Sequence, residues 1–320
     1  MGLEVNPQKC ELVFLGCPSN EQKQSILSKF SEVCPGVQVT ELEDLVVLGA
    51  PIGSAALEST VEEKTQVFQA FSQKLQRIGA HYALFLIKNC LHMPRLLYIL
   101  RTSPCFKLCE KLQRIDNYLR ASLESICNVS LSESRDKQVF LPVKLGGMGI
   151  PSAVLTAPSA FLASAVGCEP FSQNLNLNLG SDRDVESALT AWYELSGVDA
   201  MPVAKREAQQ TWSIPVLDKL KIDIEQSLGQ TQSKRFSLTQ GRYAGAWLNA
   251  IPMSPLGLKL TDGQLRCAVA LRLGAIICAA HTCCCGQNVD EYGTHGLACA
   301  RGARDGLPDM LFSMILLDDP

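Results

Sequence analysis

The chain has 320 residues, 47% of them apolar, and a formal net charge of −3. That length and apolar content support a sizeable core divided into two or three units, exclude a disordered chain, and leave no overall charge bias towards nucleic acid or anionic membrane. The 14 cysteines are scattered from Cys10 to Cys299 and the opening residues do not read as a signal peptide, so free thiols in a reducing intracellular compartment, nuclear or cytoplasmic, are expected.

In chain order, ELVFLG (11–16) and LVVLG (45–49) are short β-prone runs that each stop at glycine, which predicts two strands. Between them a loop or short helix is expected near Glu21 to Phe30. From Ala55 the apolar period changes to three or four, with Leu57, Val61, Phe68, Phe71, Leu75 and Ile78 on one side, the pattern of an amphipathic helix. A second, nearly all-round apolar helix follows from Ala80 to His92, Pro94 starts or kinks a third over Arg95 to Arg101, and a fourth spans Phe106 to Cys127. Four helices in so short a stretch predict a bundle.

LPVKLGGMGIPSA (141–153) breaks any helix and reads as a turn or hairpin feeding a small-residue helix. Residues 168–183 lack periodicity and are the candidate linker. Helices are then expected over Val185 to Leu195, Val203 to Leu228 with a break at Pro215, Gly241 to Asn249, and Asp262 to Ile277. The most apolar runs, Ala83 to Leu100 and Ala268 to Ala280, are interrupted by Lys88, Pro94, Arg95 and Arg272. Neither offers about 20 unbroken apolar residues, so no membrane span is expected. The fold class is mainly α, with a small N-terminal β-hairpin, a helical bundle and a second helical region.

The ordered set GLEVNPQKC (2–10), ELVFLG, LVVLGAPIGS (45–54), RLLYILRTSP (95–104), LPVKLGGMGIPSA, APSAFLAS (157–164), AGAWLNAIP (244–252), LRLG (271–274) and the final Cys/His cluster resembles the C-terminal part of reverse transcriptases of the non-LTR retrotransposon type. The resemblance covers the chain to about Cys299 and implies a layout. Residues 1–54 correspond to the end of the palm and a primer-grip-like hairpin, 55–167 to a helical thumb, 168–183 to the linker, 184–280 to a helical connection, 281–299 to a zinc-knuckle-like loop, and 300–320 to an unpatterned tail.

In the family, nucleotidyl transfer uses two Mg²⁺ ions held by carboxylates that precede the segment matching Gly2 to Cys10. Only Met1 stands there, and the one Asp-Asp pair, Asp318 and Asp319, falls in the tail and reads as solvated charge. The expectation is a chain with no catalytic residue, no bound Mg²⁺ and no polymerase activity; the alternative is a fragment of a longer active RNA-directed DNA polymerase with a misplaced start, its active site upstream of Met1. Lys9 matches the family lysine that protonates pyrophosphate; without palm and metals it reads as a surface lysine. Gly49, Pro51 and Gly53 match the primer grip. There the glycines permit close backbone approach and the proline stiffens a turn, although an ordinary strand-to-helix turn has the same composition.

Between Lys74 and Arg120 nine basic residues, Lys74, Arg77, Lys88, Arg95, Arg101, Lys107, Lys111, Arg114 and Arg120, stand against Glu110 and Asp116. A bundle charged this way can track phosphates with little base specificity, which gives RNA–DNA or DNA duplex as the expected partner; solvated helix faces are the plain alternative.

Cys283, Cys285, His295 and Cys299 make C-x-C-x9-H-x3-C, three thiolates and an imidazole suited to tetrahedral Zn²⁺. Cys284 leaves the register open, His281 is a possible substitute ligand, and a reduced cysteine-rich loop is the alternative reading. His81 and His92, in the apolar second helix, are expected as satisfied or edge histidines and not as catalysts, and Trp192, Trp212 and Trp247 in packing roles. From another class, a helical scaffold or interaction protein without zinc or nucleic acid is also open.

Overall fold

The structure, a computed structural model, describes residues 6, 9–16, 18–174 and 183–299. It is mainly helical, with short strands, as the sequence pattern predicts. Two units divide it, residues 1–63 and 64–320, and the boundary falls within one helix.

In the first unit, β1 (Glu11–Leu12) and β2 (Gln38–Val39) pair in parallel and are joined by helix α1 (Asn20–Val33). A capping box starts that helix: Ser19 Oγ accepts from the Gln22 amide at 3.3 Å, and Gln22 Oε1 accepts from the Ser19 amide at 2.9 Å. The second predicted strand pairs elsewhere. β3 (Val46–Val47) turns back antiparallel onto β4 (Ala50–Pro51), so ELVFLG and LVVLG are not each other's partners. The reason is local. Leu48 and Gly49 take φ values of 52° and 80°, the left-handed pair that closes a two-residue hairpin before any longer connection forms.

Helix α2 (Ser54–Leu75) crosses the unit boundary. In the second unit come α3 (Ala80–Leu86), a wide turn over Ile87–Leu91, α4 (Met93–Thr102) with Pro94 in its first turn, and α5 (Cys109–Cys127). Asn128 at φ 50° closes α5. α6 (Glu133–Phe140) leads into the glycine loop, and α7 (Ala153–Asn174) packs on α4 and α5. It runs through Asn174, into the stretch expected as linker; residues 175–182 of that stretch lie outside the described residues.

α8 (Arg183–Ser196) and α9 (Gln209–Ser227) cover α7. Here Trp192 and Trp212 are fully buried, meet edge to face at 5.1 Å, and are held by Trp192 Nε1 donating to the Trp212 carbonyl at 2.7 Å. The expected break at Pro215 does not occur. Trp212, Val216, Leu220 and Ile224 form one buried stripe across it, and that packing outweighs the hydrogen bond the proline cannot make. α10 (Gln230–Leu238) follows, while the helix expected over Gly241 to Asn249 is only a short 3-10 turn, Ala246–Asn249, that buries Trp247 and Leu248.

α11 (Asp262–Leu273) completes the main core with α3, α5, Met148, Ile150 and Trp247. It stops short of Ile277 because Gly274 turns left-handed at φ 67°. Its first residue also serves α3: Asp262 Oδ1 accepts from the Ala80 amide at 2.8 Å, and His81 Nδ1 accepts from the Leu260 amide at 3.0 Å. Last come β5 (His281–Thr282), antiparallel to β6 (Asn288–Val289), and the single turn α12 (His295–Ala298). Two apolar stretches among the described residues, Ala80–Thr102 and Ala153–Phe171, have the length and composition to cross a membrane; both supply buried residues to the cores.

Candidate metal centre and basic surface

The β5–β6 hairpin is built around its cysteines. The Cys283 amide donates to the Gln287 carbonyl and the Gly286 amide to the Cys283 carbonyl, both at 2.8 Å. Gly286, at φ 84°, takes the conformation that closes this turn. After β6, Asp290 accepts at Oδ1 from the Thr294 amide at 3.3 Å, and Gly293 turns at φ 65°, delivering His295 on α12. The Ile277 amide donates to the Glu291 carbonyl at 2.8 Å, and Ile277 packs on the main core, so the loop is anchored next to the end of α11.

These turns bring four ligand atoms, from Cys283, Cys285, His295 and Cys299, within 4.8 Å of one another. Cys285 Sγ lies 3.1 Å from His295 Nε2, and Cys283 Sγ 3.6 Å from Cys299 Sγ. Thiolates about 2.3 Å and an imidazole about 2.0 Å from a tetrahedral Zn²⁺ stand about 3.5–3.8 Å apart. The cluster can hold a metal ion. It also resolves the register: Cys284 and His281 are exposed and lie outside the four, and His281 Nδ1 faces the Ala279 carbonyl at 2.9 Å.

Electrostatics at the cluster shift two of its thiols in opposite directions. The backbone N–H of Cys285 pulls the Cys283 thiol down to about 7; burial opposes it, and hydrogen bonds from neighbouring thiols add to the lowering. Cys285 moves the other way: the Gln287 N–H lowers it, but burial and the nearby Cys283 and Cys299 raise it overall. A cation among these sulfurs would draw all of them to thiolate.

The structure separates the predicted basic residues into two groups. One group is tied into the protein. Lys88 donates to the Leu248 carbonyl at 3.1 Å and to Asn249 Oδ1 at 2.8 Å. Arg101 donates twice to Gln209 Oε1, Lys107 pairs with Asp184, and Arg120 bonds the Leu131 carbonyl beside Glu124. The other group faces outward. Lys74 and Arg95 lie 6.0 and 4.8 Å from the Phe71 ring, and Arg77 is exposed just past the end of α2; Lys111 and Arg114 on α5, half-buried and exposed, belong with the partnered residues.

At the primer-grip match, Gly53 approaches the Glu43 carbonyl so closely that a Cβ would stand 2.0 Å from its oxygen, and Leu48 at the hairpin tip is 93% exposed. Pro51 lies in strand β4 and not in the turn. Lys9 is exposed; most of the Gly2–Cys10 segment, like Asp318 and Asp319, lies outside the described residues.

Arg272, which in the sequence only interrupts an apolar run, is the buried hub of the second unit. It donates to the carbonyls of Gly147 (2.9 Å), Ala244 (3.1 Å) and Val143 (2.8 Å), and its own carbonyl accepts from Gln138 Nε2 at 3.0 Å. Gly147 and Gly245 allow the backbone to close round it, since a Cβ at either would stand within 2.2 Å of a neighbour. LPVKLGGMG, AGAWLNAIP and LRLG, far apart in the chain, therefore form one clamp. No family model, curated protein or solved structure matches the chain.

Proposed function

We propose that the chain is a zinc-stapled helical binding module of non-LTR reverse-transcriptase ancestry that does not itself synthesise DNA. The convergence of Cys283, Cys285, His295 and Cys299 carries the reading. Three thiolates and one imidazole favour Zn²⁺ over the oxygen-seeking Mg²⁺. Four protein ligands leave no open position, so the ion is structural and fastens the C-terminal hairpin. The ordered sequence motifs support the ancestry, and among the described residues the group that could hold a metal ion is this Cys/His set, not the carboxylates that nucleotidyl transfer uses.

The test is metal content of freshly purified protein, together with Co²⁺ substitution. One zinc per chain and the intense visible bands of tetrahedral cobalt–thiolate are expected. Substoichiometric zinc with featureless Co²⁺ spectra would leave a reduced cysteine-rich loop.

A second reading is favoured by the Lys74–Phe71–Arg95 arrangement: weak, sequence-independent binding of RNA–DNA or DNA duplex by the outward-facing cations Lys74, Arg77 and Arg95. An aromatic ring close to two cations offers phosphate contacts with an apolar rest for a sugar. Binding that falls steeply with salt is expected; no binding at low salt would favour a helical scaffold without a nucleic-acid role.

A further inference from the structure

A cavity of about 600 Å³ opens between α4, α7, α9 and the glycine loop after α6. Its volume lies in the range that encloses a small organic ligand, about 300–1,000 Å³. Leu97, Phe140, Leu155, Val216 and Leu217 give it an apolar wall, and Lys88 and Lys144 line it while no acidic residue does. Lys88 lacks an ion pair with any carboxylate among the described residues. Its two partners are neutral oxygens, which leaves the third N–H of the ammonium over.

Half-burial and the nearby Arg272 lower the Lys88 pKa to about 8, the mark of a cation short of a counter-charge. Gly149 leaves the approach to it open. A Cβ there would come within 3.3 Å of Lys88 Nζ and 2.9 Å of Val143, and its φ of 69° independently favours glycine. The nearest buried carboxylate is engaged behind the wall: Asp116 accepts from the Ser152 hydroxyl at 2.5 Å and from the Ala153 amide at 2.8 Å.

We propose that this cavity binds an amphipathic monocarboxylate, an alkyl chain of medium length whose carboxylate pairs with Lys88 Nζ beside Gly149. The alkyl chain lies along Leu97, Leu155 and Leu217. A neutral ligand would leave the Lys88 charge unanswered, and an alkyl ammonium would meet it with repulsion.

The test is calorimetric titration of the full chain with decanoate, its methyl ester and decylammonium, with Lys88 acetylation by a water-soluble reagent followed by mass spectrometry. Expected are one decanoate per chain, at least about tenfold weaker binding of the ester, and protection of Lys88 by decanoate. Because Lys88→Met also loses the bonds to Leu248 and Asn249, Leu217→Trp serves as the second variant. It fills the cavity from α9, keeps Lys88, and should abolish binding while the protein stays folded. Equal binding of acid and ester, no binding at millimolar decanoate, or protection of Lys88 by duplex oligonucleotide and not by decanoate would each overturn the proposal.

Discussion

Arg272 donates from Nη2 to the carbonyl of Val143 at 2.8 Å, 129 residues earlier in the chain. With the bonds to Gly147 and Ala244, one guanidinium answers three carbonyls, of which that of Val143 also accepts from the Gly146 amide at 3.1 Å. Its fork of donors is what the site uses; a lysine is a single point charge and cannot span the three. Arg272→Leu should lower the unfolding free energy by about 2–5 kcal/mol, since it takes this donor from the Gly147 and Ala244 carbonyls, at about 1–3 kcal/mol each. Arg272→Lys should recover less than half of that. Urea unfolding followed by far-UV dichroism measures both, and a loss below about 1 kcal/mol for the leucine variant would remove Arg272 from its role as hub.

Removal of the proposed zinc should act locally. The hairpin of β5 and β6 has two-residue strands, too short to persist without a staple. Cys285→Ala, or a strong chelator, should abolish hydrogen-exchange protection of the Cys283, Gly286 and Ile277 amides while α3, α5 and α11 keep theirs. Loss of protection throughout the second unit would mean that the ion supports the main core and not only the hairpin.

The two groups of basic residues make opposite predictions. Reversing Lys74, Arg77 and Arg95 to glutamate should weaken duplex binding at least tenfold and flatten the dependence of log K on log salt by about 0.9 per lost phosphate contact. Lys107→Gln should leave that slope unchanged, because Lys107 already pairs with Asp184, and should cost about 0–1 kcal/mol of stability as a partly exposed pair. Filter binding across a salt series separates the two. Equal slopes for all variants would show that none of these residues touches phosphate.

What could be read from the sequence follows the range of the interactions. The Cys/His cluster is legible because its four residues fall within one short segment, 283–299, and their chemistry is distinctive. Helices α2 to α5 and α11 are legible from apolar period and from Gly274. The fate of the basic residues was hidden because their partners are distant: Lys107 meets Asp184 77 residues on, and Lys88 meets Leu248 160 residues on. One signal did exist. Lys88 and Arg272 each break an apolar run, and a cation there must either snorkel or bond inward. Pro215 misled in the opposite way, since a strong breaker was overruled by a buried stripe it does not interrupt.

His92 and Asp116 share the interior between α4 and α5, with Nε2 of the imidazole 3.9 Å from Oδ1 of the carboxylate. Both ring nitrogens of His92 lack a hydrogen-bond partner, and burial lowers its pKa to about 4. Burial raises Asp116 to about 6, against hydrogen bonds from Ser152, Ala153 and Val154 that lower it. The two shifts oppose each other in stability. Below pH 6.5 unfolded His92 binds a proton that the folded form refuses, so its contribution is lost as pH falls towards 4. Folded Asp116 holds a proton that the unfolded form has released above its ordinary value of 3.8, so its contribution is present at low pH and lost as pH rises through 6. Between pH 4 and 6 the wild-type chain should therefore show little net dependence from this pair. His92→Phe leaves only the aspartate, and the variant should gain stability on acidification from pH 6 to 4. Asp116→Asn leaves only the histidine, and that variant should lose stability over the same range, each by on the order of 2 kcal/mol. Parallel pH profiles for the two variants would show that the groups do not titrate in opposite senses, and would remove the opposed buried pair from the account of this core.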